Sequence, residues 1–269
     1  MRVLKSVLFV ILPVYLLIIM VAFLSQEKMI FFPDQLSKDY AFNLGEKDEE
    51  VFLTTEDGET INGLFYEGHK TQVILYFHGN AGSLEGWQHI ASDFTSLGYH
   101  FLIIDYRGYG KSTGDITEKG LYRDAQAAFN YLTQEKGFKP GDIIIYGRSI
   151  GTGVATELAT QQKVKGLVLE SAFTSLKKLA NQKMPFLLPS LILEFHFNNI
   201  EKLQRVSCPI AFIHGSEDTL IPPSHTEKLF EAFSGNKEKV MIEGAGHNDL
   251  NTYNEYHQAL ADVLSMKFN

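Results

Sequence analysis

Cysteine is nearly absent from this chain of 269 residues: there is one, Cys208. No internal disulfide can form, and no cysteine set exists to hold a metal. Beside Pro209, Cys208 reads as a small buried residue rather than a reactive thiol. A basic run or stripe is missing too. With 24 Lys and Arg against 32 Asp and Glu, the net charge is -8, so nucleic acid is not an expected partner. No pair of histidines has the H-E-x-x-H spacing of a metalloprotease. Phosphate loops fail as well. YGKS at 109–112 would end a P-loop only if residue 105 were glycine, and it is Asp105. A dinucleotide fingerprint starting at Gly151 needs Gly or Ala at 156, which is Thr156. No internal repeat or low-complexity segment appears, and no cofactor or metal is implied.

What is abundant is apolar sequence at the N-terminus. Between Lys5 and Glu27 no residue is charged: SVLFVILPVYLLIIMVAFLSQ. A run of about 20 apolar residues is long enough to cross a bilayer core. A cleaved signal peptide would need small residues at A-x-A spacing, but Ser25 has Phe23 two before it and Ala22 has Met20. The run is read as an uncleaved signal anchor, a single-pass transmembrane helix over residues 1–27, with a soluble domain over 28–269. Arg2 and Lys5 before the run balance Lys28 and Lys38 after it. The short leading tail then favours a cytoplasmic N-terminus and a domain on the outer side of the membrane.

VFLTT and INGLFYEG flank Asp57-Gly58, a hairpin signal. From residue 72 onward, apolar strand-like runs alternate with helical patterns. The strands are QVILYFH, HFLIIDY, DIIIYG, GLVLES, PIAFIHG and KVMIEG. The predicted helices cover 83–97, 118–136, 150–161, 224–233 and 251–266. This pattern is α/β: a mostly parallel central sheet with helices on both faces. Residues 172–204 break the rhythm, with Pro185 and Pro189 in an apolar stretch. Two readings stay open for them: a small cap over the strand ends, or a packing helix without substrate contact.

Ser149 lies in YGRSIGTG, between the strand DIIIYG and a helix. Strand, sharp turn and helix around G-x-S-x-G make a nucleophile elbow, with Gly147 and Gly151 where neighbours crowd. A serine needs a base, and the base needs an orienting acid. His247, in GAGHNDL, follows the last strand and is the expected base. His78 is expected to shape the loop after its strand, His214 and His225 to be structural, and His257 to lie on the surface. Asp218, in the loop SEDTLIPP after PIAFIHG, is the expected acid, with Glu217 as its neighbour and alternative. The tetrahedral oxyanion would be held by the backbone N–H groups of Ile150 and Asn80. Asp105 and Arg107 are expected to brace the turn after their strand.

In order along the chain, FFPD, FHGNAGS, DYRGYGKS, YGRSIGTG, CPIAFIHGSEDTLIP and GAGHNDL resemble the α/β-hydrolase superfamily. The likeness is greatest to its membrane-anchored serine aminopeptidase-like branch, whose eukaryotic relatives include protein depalmitoylases. The resemblance implies the α/β-hydrolase fold and a Ser-His-Asp hydrolase working through an acyl-enzyme. Members cleave esters, thioesters, amides and peptides. HGNAG departs from the HGGG of many lipases. An ester or thioester with a lipid-like acyl group is the first expectation, from the anchor and the stretch MPFLLPSLILEF. A serine aminopeptidase or amidase is the alternative, with Glu194 as a candidate for binding a free amine. A catalytically silent membrane-anchored binding protein is the rival from another class.

Overall fold

A computed structural model describes the backbone of residues 2–266 and the side chains of residues 9–264. The side chains of Arg2 and Lys5 lie outside the described residues. The central sheet has eight strands: β1 (Glu49–Thr54), β2 (Thr60–Tyr66), β3 (Val73–Phe77), β4 (His100–Ile104), β5 (Ile143–Arg148), β6 (Gly166–Glu170), β7 (Ile210–Gly215) and β8 (Lys237–Ile242). Their spatial order is β1-β2-β4-β3-β5-β6-β7-β8. β2 is antiparallel to both β1 and β4, and every pairing from β4 to β8 is parallel. The chain leaves β3 toward β4 on one side and returns to β5 on the other. The carboxyl ends of β3 and β5 therefore flank a topological switch point, where open α/β sheets bind ligands.

The unbroken apolar runs follow from coverage on both faces. Val73, Leu75 and Phe77 of β3 point into a core shared with Leu121, Val154 and Leu158. Ile74 and Tyr76 point the other way, toward Phe94, Leu260 and Val263. Longer helices after the N-terminal one include α2 (Glu118–Asn130), α3 (Gly151–Gln161), α4 (Leu176–Lys183), α5 (Ser224–Ala232) and α6 (Asn254–Met266). Thr117 caps α2 by accepting from Gly120 N, and Ser175 caps α4 by accepting from Lys178 N. Residues 83–97, predicted as one helix, are helical without a gap from Leu84 to Thr95, with a 3-10 turn at Gln88–Ile90 between α-helical turns at Leu84–Trp87 and Ala91–Thr95. The first turn is held from below: Leu84 N–H donates to both Asp105 carboxylate oxygens, and Trp87 Nε1 to Ala81 O. Arg107, at the end of β4, clamps Asp57 of the hairpin to Asp124 of α2.

The first helix, α1 (Arg2–Ile30), runs three residues past the predicted boundary at 27. Its chain then pairs Phe32–Pro33 in parallel with Ala81–Gly82, just beyond β3. Between β6 and β7, the insertion is a chain of short elements: α4, then turns at Pro185–Leu187 and Pro189–Ile192. Its inner residues Phe173, Phe195 and Phe197 join the core, and its tip does not.

His225 ties this insertion to α5. Its Nδ1 accepts from Thr174 N at 3.1 Å, and its Nε2–H donates to Gln182 Oε1 at 2.7 Å. Burial is the main cause that lowers its pKa from the ordinary value near 6.5 to about 4, and nearby lysines add to it. The folded state therefore binds fewer protons there than the unfolded chain. Its contribution to stability is present above pH 6.5 and is lost as pH falls toward 4, on the order of 3 kcal/mol at most. Urea midpoints of wild type should drop over that window, and His225→Asn should flatten the drop; parallel curves would refute the assignment. Steric fit sets a second expectation. A Cβ on Gly151 would lie 2.1 Å from the Phe77 carbonyl oxygen, and one on Gly147 2.6 Å from Ala155 Cβ. Gly151→Ala should cost ~2 kcal/mol or more, read as a lowered thermal midpoint, because backbone has to move to admit it.

Candidate active site

Ser149 stands on the turn from β5 to α3 with φ 54°, in the left-handed region that a side chain makes costly. The turn is over-determined. Ser149 N donates to Glu170 O on β6 at 2.9 Å, and Ser149 O accepts from Thr152 N at 3.0 Å and Thr152 Oγ1 at 2.6 Å. Gly151 fits against the end of β3 because it has no side chain. The same packing points the first turn of α3 at the serine, with its partial positive charge.

His247 comes from the loop after β8. Its Nε2 is 3.0 Å from Ser149 Oγ, and its Nδ1–H donates to Asp218 Oδ2 at 2.7 Å. Asp218 is buried, 3% exposed, while Glu217 beside it points to solvent. Asp218 Oδ1 accepts from Leu220 N at 2.9 Å and Ile221 N at 2.8 Å. Burial opposes its charge, yet hydrogen bonds from His214 and His247 outweigh burial and hold the carboxyl well below the usual carboxylate range. A carboxylate fixed in this way stays ionised and keeps the proton of a neutral His247 on Nδ1, leaving Nε2 free to face the serine.

The loop after β3 runs beside Ser149: a Cβ on Gly79 would lie 4.0 Å from Ser149 Cβ. Its carbonyls are turned inward. Tyr106 Oη donates to His78 O at 2.8 Å, His78 Nδ1–H to Gly79 O at 2.7 Å, and Tyr109 Oη to Asn80 O at 2.7 Å. Phe32 N also donates to Asn80 O, at 2.9 Å, and Asn80 Nδ2 donates to Ile30 O, the last residue of α1, at 2.7 Å. With the carbonyls held, the N–H groups of Asn80 and Ile150 donate to no backbone carbonyl among the described residues. Both residues line the cavity above Ser149.

That cavity is walled by the insertion, with Leu176, Leu179, Met184, Leu187 and Ile192, and by Leu220 and Ile221 of the loop that carries Asp218. α1 supplies a further wall through Ala22, Gln26, Met29 and Ile30, and Lys183 of the insertion also lines the cavity. Among the described residues no Asp or Glu lines it. Glu194 is exposed and meets α1 only through its backbone N–H, which donates to Gln26 Oε1 at 2.7 Å. His257 is exposed, and Cys208 is buried with its thiol pushed up to about 12 by burial.

Three contributors escaped the sequence reading. His214, expected to be only structural, has Nε2 3.2 Å from Asp218 Oδ2 and 2.8 Å from Ile221 O. It supports the acid from beneath. Arg148, inside the G-x-S-x-G motif, donates from Nη2 to His247 O at 3.2 Å, while its Nε pairs with Glu170 at 3.1 Å. β5 and β6 place Arg148 and Glu170 in register, so their pairing is a signal that two aligned strand ends could have supplied. The third is α1 as a cavity wall, for which a run of apolar residues carries no signal.

Comparisons with known proteins agree with this geometry. A family model described as alpha/beta hydrolase fold matches residues 72–201. The uncharacterized protein Rv2307c of Mycobacterium tuberculosis is 33% identical over 235 residues, covering 86% of this chain and 84% of its own. Alpha/beta hydrolase domain-containing protein 17B of Homo sapiens is 34% identical over 239 residues, covering 85% of this chain and 80% of its own. Among solved structures, a Pyrococcus furiosus esterase superposes with a TM-score of 0.74 at 20% identity, covering 89% of this chain and 98% of that one. An acetyl xylan esterase from Paenibacillus does so with a TM-score of 0.67 at 18% identity, covering 83% of this chain and 86% of that one. With the switch-point serine, the sheet order and matches that extend over most of the sequence, this chain belongs to the alpha/beta hydrolase superfamily.

Proposed function

We propose that the protein is a membrane-attached serine hydrolase that cleaves a carboxylic ester or thioester with a long apolar acyl group. The observation that carries the reading is the chain of contacts Ser149–His247–Asp218, with 3.0 Å and 2.7 Å between the reacting atoms. His247 Nε2 takes the proton of Ser149 as Oγ bonds to the carbonyl carbon. Asp218 steadies the imidazolium that forms. The N–H groups of Asn80 and Ile150 receive the oxyanion. His247 then gives its proton to the departing alcohol or thiol as the carbonyl re-forms, leaving an acyl-Ser149 ester. Water, deprotonated by His247, adds to that ester; as the intermediate collapses and releases the acid, His247 returns the proton to Ser149 Oγ.

The acyl preference rests on the cavity, whose walls are mostly apolar and, among the described residues, carry one charged side chain, Lys183, and no carboxylate. An aminopeptidase has to hold a cationic amine; these walls offer no carboxylate to pair with it, and Lys183 would repel it. Hydrolase activity also fits the two solved neighbours that are esterases. Residues 28–269 are read as the hydrolase domain, residues 172–204 as its cap, and α1 as the membrane anchor. One helix, Phe9–Ile30, is long and apolar enough for that role.

The test is hydrolysis of p-nitrophenyl acetate, octanoate and palmitate by full-length protein in detergent. Ser149→Ala, His247→Ala and Asp218→Asn should each lose about ten-thousand-fold in kcat while keeping the wild-type thermal midpoint within a few degrees. Octanoate and palmitate should exceed acetate in kcat/KM, and Leu179→Trp, which fills the cavity, should move the optimum to the short chain. Equal activity of Ser149→Ala would end the serine reading. A wild-type preference for acetate would end the acyl-pocket reading alone.

A further inference from the structure

The contact between α1 and the cap is not the arrangement of a domain hanging below a separate span. Three bonds tie them along the helix. Tyr15 Oη donates to Phe186 O at 2.8 Å, Gln26 Oε1 accepts from Glu194 N at 2.7 Å, and Gln26 Nε2 donates to Ile192 O at 3.4 Å, while Asn80 of the loop after β3 donates from Nδ2 to Ile30 O at 2.7 Å. Tyr15 and Ile30 stand about 22 Å apart along the axis, at about 1.5 Å per residue. The part of α1 beyond Tyr15, residues 2–14, adds about 20 Å, short of a hydrocarbon core about 30 Å thick. If α1 enters a bilayer far enough to cover its apolar residues, the cap enters with it.

The cap is built for that. Residues 184–193, MPFLLPSLIL, carry no charge. Leu191 is 79% exposed and Phe186 61%. Neither lines the cavity, so neither is turned inward toward a substrate. Leu188, also exposed, is held in the left-handed region at φ 50°, between the turns that carry Phe186 and Leu191. Ordinary packing leaves such side chains covered. Tyr15 of α1 bonds to the cap tip at Phe186 O, and its helix neighbours Leu16 and Ile18 are exposed, so apolar side chains stand exposed on both elements near that contact.

We propose that the cap tip and α1 form one surface seated in the acyl layer of a single membrane leaflet, and that the acyl chain passes from that leaflet into the cavity between α1 and the cap. This deepens the proposed function and rests on it only for the fate of the chain. The lipid seat stands on geometry alone. In this arrangement the helix is a wall of the binding site as well as an anchor.

The test uses full-length protein in phosphatidylcholine vesicles. Cys208 is buried, so a thiol introduced by Leu191→Cys takes an environment-sensitive dye. Nitroxide-labelled acyl chains should quench that dye about twofold or more, and aqueous iodide should not, as for a group in the acyl region. Lys139→Cys, exposed near the start of β5, should give the reverse. Quenching of the Leu191 site by iodide alone would overturn the proposal. So would shielding from both quenchers, since a second protein copy would then cover the tip. In a second arm, Phe186→Glu with Leu191→Glu should lower hydrolysis of a palmitoyl ester embedded in the vesicles about tenfold and leave soluble acetate ester hydrolysis unchanged. Unchanged rates on both substrates would refute lateral entry. If wild type hydrolyses neither ester, the hydrolase reading fails while the dye still reports on the lipid seat.

Discussion

The site hangs from the close approach of the first turn of α3 to the carboxyl ends of β3 and β5. Gly151 lies so near the Phe77 carbonyl that even one carbon more would collide with it. This fit turns Ser149 into the left-handed region and lifts its side chain above the sheet. Such a conformation costs about 1–3 kcal/mol and persists only where its surroundings over-determine it. Here the bonds from Ser149 N to β6 and from Thr152 to Ser149 O do so. The strain buys position: the serine oxygen, the helix N-terminus and the loop after β3 converge on one point.

The other groups are fixed to that point from several directions. Asp218 holds the ring of His247, and Arg148 holds its carbonyl. Arg148 is itself anchored by Glu170, whose second oxygen accepts from Tyr146 Oη at 2.5 Å and Tyr256 Oη at 2.9 Å. A buried cation left without that carboxylate would be costly, so the network is complete or it fails. Tyr106 and Tyr109 do for the loop after β3 what Arg148 does for the histidine loop: they hold carbonyls inward. DYRGYGKS, notable in the sequence mainly for failing as a phosphate loop, therefore serves the site from behind.

What the sequence disclosed follows from how local each constraint is. The strand runs, the turn around Ser149 and the glycine of the hairpin at Asp57-Gly58 are set by near neighbours, and all were legible. So was the placement of Asp218 and His247 beside Ser149, since strand order limits which loops can reach the switch point. The helix expected at 83–97 forms, and the cap on its first N–H comes from Asp105, far along the chain, which no local signal discloses. The backing roles of His214 and Arg148 depend on partners across strands, and residue type alone does not reveal them. The packing of α1 on the cap was the least legible. An apolar run specifies a membrane-compatible helix, and only the Tyr15 and Gln26 contacts reveal that the helix also closes a cavity.

The central claim is that this framework activates Ser149. A fluorophosphonate probe reports that directly, because it phosphonylates a serine only where a base removes the proton and donors receive the oxyanion. The account predicts stoichiometric labelling of full-length protein, with the adduct mass on the peptide that contains Ser149, and none in His247→Ala. A well-folded wild-type protein that stays unlabelled, or a label on a different serine, would contradict it.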